Sequence, residues 1–186
     1  MPTTHFNVAA PDAYPSFDAP SRNNERIRPP IYVLEVRDRD KPDSDPIAWF
    51  FIERQETYRR DDPDNTVYEA SITLHYEQIF PKYANNGNNT GHFSAGYRRG
   101  YSDNPITSLT YPSPPSKGAV FLNFAPKGQR IGTYLMNQIV VWAKQWPEAT
   151  ICPISLQAGQ ATIDNKARRN RFYEQFGLTF DYTDTE

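Results

Sequence analysis

The feature that most constrains this chain is the stretch from Gly118 to Tyr173, where three kinds of segment follow one another. Ala119-Val120-Phe121-Leu122-Asn123-Phe124 is a short apolar run that predicts a strand. Pro126-Lys127-Gly128-Gln129-Arg130-Ile131-Gly132 is a polar turn bearing glycines. From Thr133 the apolar spacing becomes helical: Leu135, Ile139, Trp142 and Trp146 fall on one stripe, with Met136, Val140 and Ala143 beside it. Pro147 stops that helix. A strand over Thr150-Leu156 follows, and a right-handed crossover makes it parallel to the 119–124 strand. Pro153 inside it points to an edge or a local distortion. A second helix is expected from about Asp164, a suitable N-cap, to Phe176, where Gly177 closes it. Leu178–Tyr182 then reads as a last strand.

A strand–turn–helix sequence of this kind aims backbone N–H groups at an anion. The first turn of a helix has donors without intrahelical partners, and the macrodipole adds partial positive charge there. A phosphate or diphosphate fits such a place. Glycines 128 and 132 admit close approach of a ligand to the backbone. The turn is not a P-loop, since no Gly-Lys-Ser/Thr is present, and it lacks the Gly-x-Gly-x-x-Gly of dinucleotide sites. On spacing alone, an ordinary strand-to-helix turn remains an equal reading.

Upstream, the chain reads as strands and loops. Prolines at 2, 11, 15, 20, 29 and 30 remove any periodicity from residues 1–30, which read as an extended arm or a tail, with Phe6, Tyr14 and Phe17 as possible anchors to the domain or to a second subunit. Residues 31–186 read as a single domain, with 118–182 as its ligand-binding core. Strands are expected at Ile31–Val36, Ile47–Ile52 and Val67–Tyr76, as a meander, and at Ile106–Tyr111. Arg59–Asn65 reads as a turn. Tyr83–Asn104 reads as a long loop: a solvated connection, a cover for an acceptor site, or a surface whose tyrosines and arginines stack on bases.

Composition excludes several classes. With 186 residues the chain can bury a sizeable core, and 14% aromatic content makes that core rich in Phe and Tyr. A net charge of −2 gives no field to draw nucleic acid or an anionic membrane. A lone cysteine, Cys152, excludes an internal disulfide and a Cys-based zinc site. It reads as a small buried hydrophobe. No apolar run reaches the length of a membrane span, and no basic region followed by an apolar core opens the chain. The expectation is a cytoplasmic protein with no membrane partner and no metal.

Lys127-Gly128-Gln129-Arg130-Ile131-Gly132-Thr133 resembles the pyrophosphate loop of the GNAT superfamily of N-acetyltransferases, Arg/Gln-x-x-Gly-x-Gly/Ala. Lys127 stands for the usual Arg or Gln, Arg130 for the first glycine, and Gly132 holds its place. Further on, Asn165-Lys166-Ala167-Arg168-Arg169-Asn170-Arg171-Phe172-Tyr173-Glu174-Gln175-Phe176-Gly177-Leu178 resembles the family's Asn-x-x-Ala-x-x-Leu-Tyr-x-x-x-Gly-Phe. Phe172-Tyr173 and Gly177-Leu178 fall in register, while Asn165 and Ala167 sit one or two positions off. The resemblance covers residues 118–182. It implies an α/β (α+β) fold with a mixed, mainly antiparallel sheet, a parallel βαβ at the cofactor cleft and helices on both faces. It also implies transfer of an acetyl group from acetyl-CoA to a primary amine of a small-molecule or protein acceptor, by direct attack in a ternary complex. Leu122 and Phe124 would pair with the pantetheine amides. Lys127 and Gly128, with the amides of Gln129, Arg130, Ile131, Gly132 and Thr133, would hold the diphosphate, with Asn165 and Asn170 also at the cofactor. Tyr173 would give a proton to the leaving thiolate; the bland alternative is a packed core tyrosine.

The base that frees the amine is left open. Glu69, His75 and Glu77 are candidates from the third strand, though each also reads as a surface group. Ser155 and Gln157 are candidates for a relay or for acceptor contact. Lys166, Arg168, Arg169 and Arg171 form a basic helix turn, read as a solvated face, a phosphate contact or a nucleic-acid contact. Two other readings stand beside the enzyme: a binding module with a degenerate cofactor site, and a nucleic-acid-directed protein. A homodimer is also left open.

Overall fold

The proline-rich segment expected to be an arm supplies two short strands, β1 (Phe6–Ala9) and β2 (Asn24–Ile27). β1 pairs antiparallel with β3 (Ile31–Val36). β2 and β3 both pair antiparallel with β4 (Ala48–Asp61), β2 along residues 56–59 and β3 along 48–53. The two registers differ by one residue, since Ile27 faces Glu56 and Ile31 faces Glu53. Pro29 and Pro30, which have no N–H to offer a ladder, stand between the two strands. The structure is a computed structural model that describes residues 6–9, 24–27, 31–61, 64–81, 90–100, 104–116, 128–154, 156 and 163–180. The chain divides into two compact units, Met1–Ile154 and Ser155–Glu186.

The expected meander is present, with longer strands than the apolar runs suggested. β4 continues past Ile52 through Glu53-Arg54-Gln55-Glu56-Thr57, because this polar piece has a partner on each side. β5 (Thr66–Phe80) pairs antiparallel with β4 along nearly its whole length, with register shifts at Trp49/Phe50 and Arg59/Arg60. Asn65, with φ 52, makes the left-handed step of the connecting turn, so the turn is tighter than the expected 59–65.

The expected 83–104 loop contains a strand instead. β6 (Thr90–Arg98) pairs antiparallel with β5, and Phe93, Ala95 and Tyr97 are buried. Two glycines hid it. A Cβ on Gly91 would collide with the Tyr76 phenol, and one on Gly96 would collide with the Pro112 carbonyl and the Pro114 ring. Glycine in a strand marks such close approaches. β7 (Ile106–Ser108), shorter than the expected 106–111, follows antiparallel to β6.

The sheet is 8-stranded and mixed, in the order β1-β3-β4-β5-β6-β7-β8 with β2 off that path on β4. Among the described residues its one parallel pair joins β7 to β8 (Thr150–Ile151). The parallel neighbour of the 150 strand was expected to be 119–124, which lies outside the described residues. Only Thr150 and Ile151 of the expected 150–156 strand are strand, extended by the Cys152 N–H donating to the Thr107 carbonyl at 2.8 Å. Among the described strands β8 is the last in the sheet order. Cys152 is half-buried rather than buried.

One face of this sheet carries the core. Tyr32, Leu34 and Val36 of β3, Phe50, Ile52 and Tyr58 of β4, Ala70, Ile72 and Leu74 of β5, and Phe93, Ala95 and Tyr97 of β6 all point to it. Helix α1 (Ile131–Ala143) lies on this face, burying Leu135, Met136, Ile139 and Trp142. It begins two residues before the expected Thr133 and ends well before Pro147. Trp146, expected on the helical stripe, follows the helix and stacks on Tyr97 with centroids 4.3 Å apart and planes 10° apart. Among the described residues of this unit α1 is the one helix, so the expected helices on both faces reduce here to one face.

In the second unit, α2 (Ile163–Glu174) begins ahead of Asp164, which therefore lies in the first turn rather than at the N-cap. Its C-terminus is a Schellman motif. Gly177, with φ 81, donates to the Glu174 carbonyl at 2.9 Å, and Leu178 donates to that of Tyr173 at 3.4 Å. Leu178–Phe180 is not strand, and 181–182 lie outside the described residues.

Gly96 gives a direct check on β6 and its cover. Gly96→Ala must move backbone at Pro112, and we expect a loss of about 1–3 kcal/mol in urea unfolding. An unchanged midpoint would mean that the 112–114 segment does not rest on Gly96.

Candidate functional site

The start of α1 has the geometry of an anion site. Arg130 is the N-cap residue, in the left-handed region with φ 57 and ψ 19, and makes no side-chain cap. The first helical bond runs from the Tyr134 N–H to the Arg130 carbonyl, at 2.9 Å. The amides of Ile131, Gly132 and Thr133 precede it and have no acceptor within the helix by construction. No acidic residue stands in the first turn to neutralise the dipole from within. Gly128, with φ 86, is exposed and has open space where a Cβ would be. The Arg130 side chain is exposed, whereas Ile131 and Gly132 are buried. The Gln129 side chain is occupied: its Oε1 accepts from the Arg39 N–H at 3.0 Å, tying the turn to the β3–β4 connection. That bond uses the acceptor oxygen of the Gln129 side chain and not its Nε2 donors. Lys127, Leu122 and Phe124 lie outside the described residues, as do Ser155 and Gln157.

Beneath α1 the structure gathers polar side chains that the sequence did not single out. Gln138 donates through Nε2 to the Tyr32 hydroxyl at 2.5 Å, and its Oε1 lies 3.5 Å from Arg54 Nη1. Arg54 Nε donates to Glu56 at 2.5 Å, and the Tyr58 hydroxyl donates to the same carboxylate. Trp142 Nε1 donates to the Tyr58 hydroxyl at 3.2 Å. The chain of bonds fixes the position of α1 on β3 and β4, and with it the direction of the α1 N-terminus. Arg54 and Glu56 belong to no motif read from the sequence. Their period-two spacing with Phe50 and Ile52 was the signal available.

Burial raises the pKa of Tyr32, more strongly than the Gln138 N–H lowers it. Tyr58 is raised by burial and then by its bond to Glu56. Burial also raises Tyr76, and raises Tyr97 with a further contribution from Glu148.

Of the candidate bases, His75 and Glu77 are exposed on the sheet face turned away from α1, and Glu69 is paired with Arg59 at 2.7 Å. None faces the α1 side of the sheet. On that outer face, Glu53, His75 and His92 stand side by side across β4, β5 and β6, and the two imidazoles are 6.0 Å apart between centroids.

In the second unit Tyr173 is buried, at 3% exposure, with its ring edge-on to Phe172 and Phe180. Lys166, Arg168 and Arg171 are exposed, as a solvated face requires, and Arg169 and Asn170 are half-buried. Asn165 lies within α2, and its side chain is outside the described residues. Compared with known proteins, the chain matches no family model, no curated protein and no solved structure.

The tyrosines give a pH test. An unfolded tyrosine loses its proton near pH 10, and the raised folded groups hold theirs to higher pH. Above pH 10 the folded state therefore binds more protons, and stability must fall as pH rises. Below pH 10 these groups contribute no slope. Urea unfolding between pH 8 and 11 should show a plateau and then a decline, and Tyr32→Phe should make the decline shallower.

Proposed function

We propose that the chain is an acetyl-CoA-dependent N-acyltransferase of the GNAT type, acting on a primary amine. The observation that carries the reading is the left-handed Arg130 at the start of α1, an N-cap residue whose side chain makes no capping bond. The motif it resembles has glycine at this place, and φ 57 is the backbone that glycine adopts without strain. The substitution of Arg for Gly thus leaves the loop conformation intact. It adds a guanidinium to a site with first-turn amides that lack intrahelical acceptors and with a helix dipole, and a diphosphate is the guest that uses all three.

In this reading the amides of Gln129 to Thr133 and the Arg130 side chain hold the diphosphate of acetyl-CoA. Leu122 and Phe124 align the pantetheine arm. The neutral amine attacks the thioester carbonyl, the C–S bond breaks, and the acetyl group passes to nitrogen. The nitrogen loses a proton and the departing sulfur gains one, for which Tyr173 is the donor by its place in the motif. Holding the two reactants together supplies much of the acceleration.

Calorimetry with acetyl-CoA tests the reading, with binding expected at sub-millimolar concentration. Absence of heat and of competition by CoA would remove it. Tyr173→Phe should keep the affinity and lose release of CoA thiol in the presence of a panel of primary amines; unchanged thiol release would remove the role given to Tyr173. Arg130→Gly separates backbone from charge. Relief of the left-handed arginine, about 1–2 kcal/mol, exceeds the cost of glycine's extra freedom, about 0.5–1 kcal/mol. The variant should therefore be slightly more stable and bind acetyl-CoA more weakly.

A further inference from the structure

The sheet face turned away from α1 is not uniformly polar. Ile31, Trp49, Phe51 and Phe80 are exposed there, at 43%, 37%, 43% and 56%. Around Phe51 the face forms an open cavity of about 880 Å³, lined by Ile31, Phe51, Glu53, His75, Glu77 and His92 among others. Its size and apolar floor are those of a small-molecule site. Pro112 and Pro114, after β7, lie against the same face at Gly96, toward the other end of β6.

Among the described residues the charges of this cavity have one sign: the lining contains two carboxylates and no lysine or arginine. Elsewhere on the face each carboxylate has its cation: Glu35 is 2.7 Å from Arg37, and Glu69 is 2.7 Å from Arg59. Glu53 accepts only from the neutral Gln55 amide, at 2.8 Å, and Glu77 has no ion pair among the described residues. The sheet register sets their spacing. Glu53 faces His75, Phe51 faces Glu77, and His75 faces His92. Glu53 and Glu77 are therefore diagonal neighbours, roughly 7–8 Å apart at the backbone. Long side chains at that distance converge on one cation. A neutral imidazole adds an acceptor nitrogen, and the Phe51 ring offers an apolar and cation-attracting surface beside it.

We infer that this face binds a small organic ammonium ion with an apolar or aromatic body, its nitrogen between Glu53 and Glu77 and its body on Phe51 and Ile31. The inference stands without the acyltransferase reading, because it uses neither α1 nor the second unit.

Calorimetry with 2-phenylethylamine, and with 2-phenylethanol as its neutral isostere, tests it on the full chain. Saturable amine binding is expected, with the alcohol at least about tenfold weaker, since only the amine makes charge-assisted bonds. Glu77→Gln changes an exposed side chain and should weaken the amine about tenfold while leaving the alcohol unchanged. Phe51→Ala should weaken both. Equal affinity for amine and alcohol, or full amine affinity in Glu77→Gln, would overturn the inference. So would a dimer in sedimentation that Phe51→Ala dissociates, because the face would then belong to a second copy. None of these readouts requires acetyl-CoA, so failure here and failure of the acyltransferase reading are separable.

Discussion

The register of β4 against β5 decides what every other part of the first unit can be. Side chains along a strand alternate between faces, so a slip of one residue exchanges the faces completely. In the observed register Phe50, Ile52, Ile72 and Leu74 meet α1, and Phe51, Glu53, His75 and Glu77 meet solvent. A slip by one would turn either the Glu53 row of β4 or the His75 row of β5 to the α1 face, where an ionised group costs several kcal/mol. Burial of the apolar rows therefore fixes the register, and the register sets both the bonds that seat α1 and the carboxylates on the outer face. The bulges at Trp49/Phe50 and Arg59/Arg60 bracket the stretch in which this argument holds.

The polar bonds under α1 refine what the apolar contacts begin. Leu135, Met136 and Ile139 bring the helix to the sheet without fixing its rotation closely, since hydrophobic burial is non-directional. Gln138 on Tyr32 and Trp142 on the Tyr58 hydroxyl are directional. Together with Gln129 on the Arg39 amide, they hold the helix start at one place relative to the β3–β4 connection. An anion site made of backbone amides depends on that placement, because amides cannot reorient as side chains do.

The strands of the meander were legible because their apolar rows are long: of 31–36, 47–52 and 67–76, all but Ile47 lie in observed strands. α1 was legible from its stripe. β6 was not, because Gly91, Ser94, Ala95 and Gly96 lack the bulk that marks a strand. The small residues there answer to neighbours distant in sequence, Tyr76 and Pro112, and no local pattern reports those. β1 and β2 were hidden for a different reason: prolines break the periodicity around them, and their pairing partners lie on other strands. At the candidate site, the turn at 128–132 was legible as a shape. The Arg54–Glu56–Tyr58 bonds were not, because charged residues on a strand read as solvent-facing until a helix is known to cover them.

Arg130 shows how a departure from a motif can be argued from conformation. A glycine in a phosphate turn has two separable uses: it permits positive φ, and it leaves room for the ligand. The backbone at Arg130 retains the first feature, so the loop shape does not require the missing glycine. The second depends on where the side chain goes. The Arg130 side chain is exposed and carries a positive charge at the helix start. A lysine or a leucine could satisfy the backbone no better, but only a cation would add to the field of the helix end. Position 130 is thus a place where strain of about 1–2 kcal/mol is tolerated at the start of a helix, and strain of that kind clusters at sites where a chain does chemistry or holds a ligand.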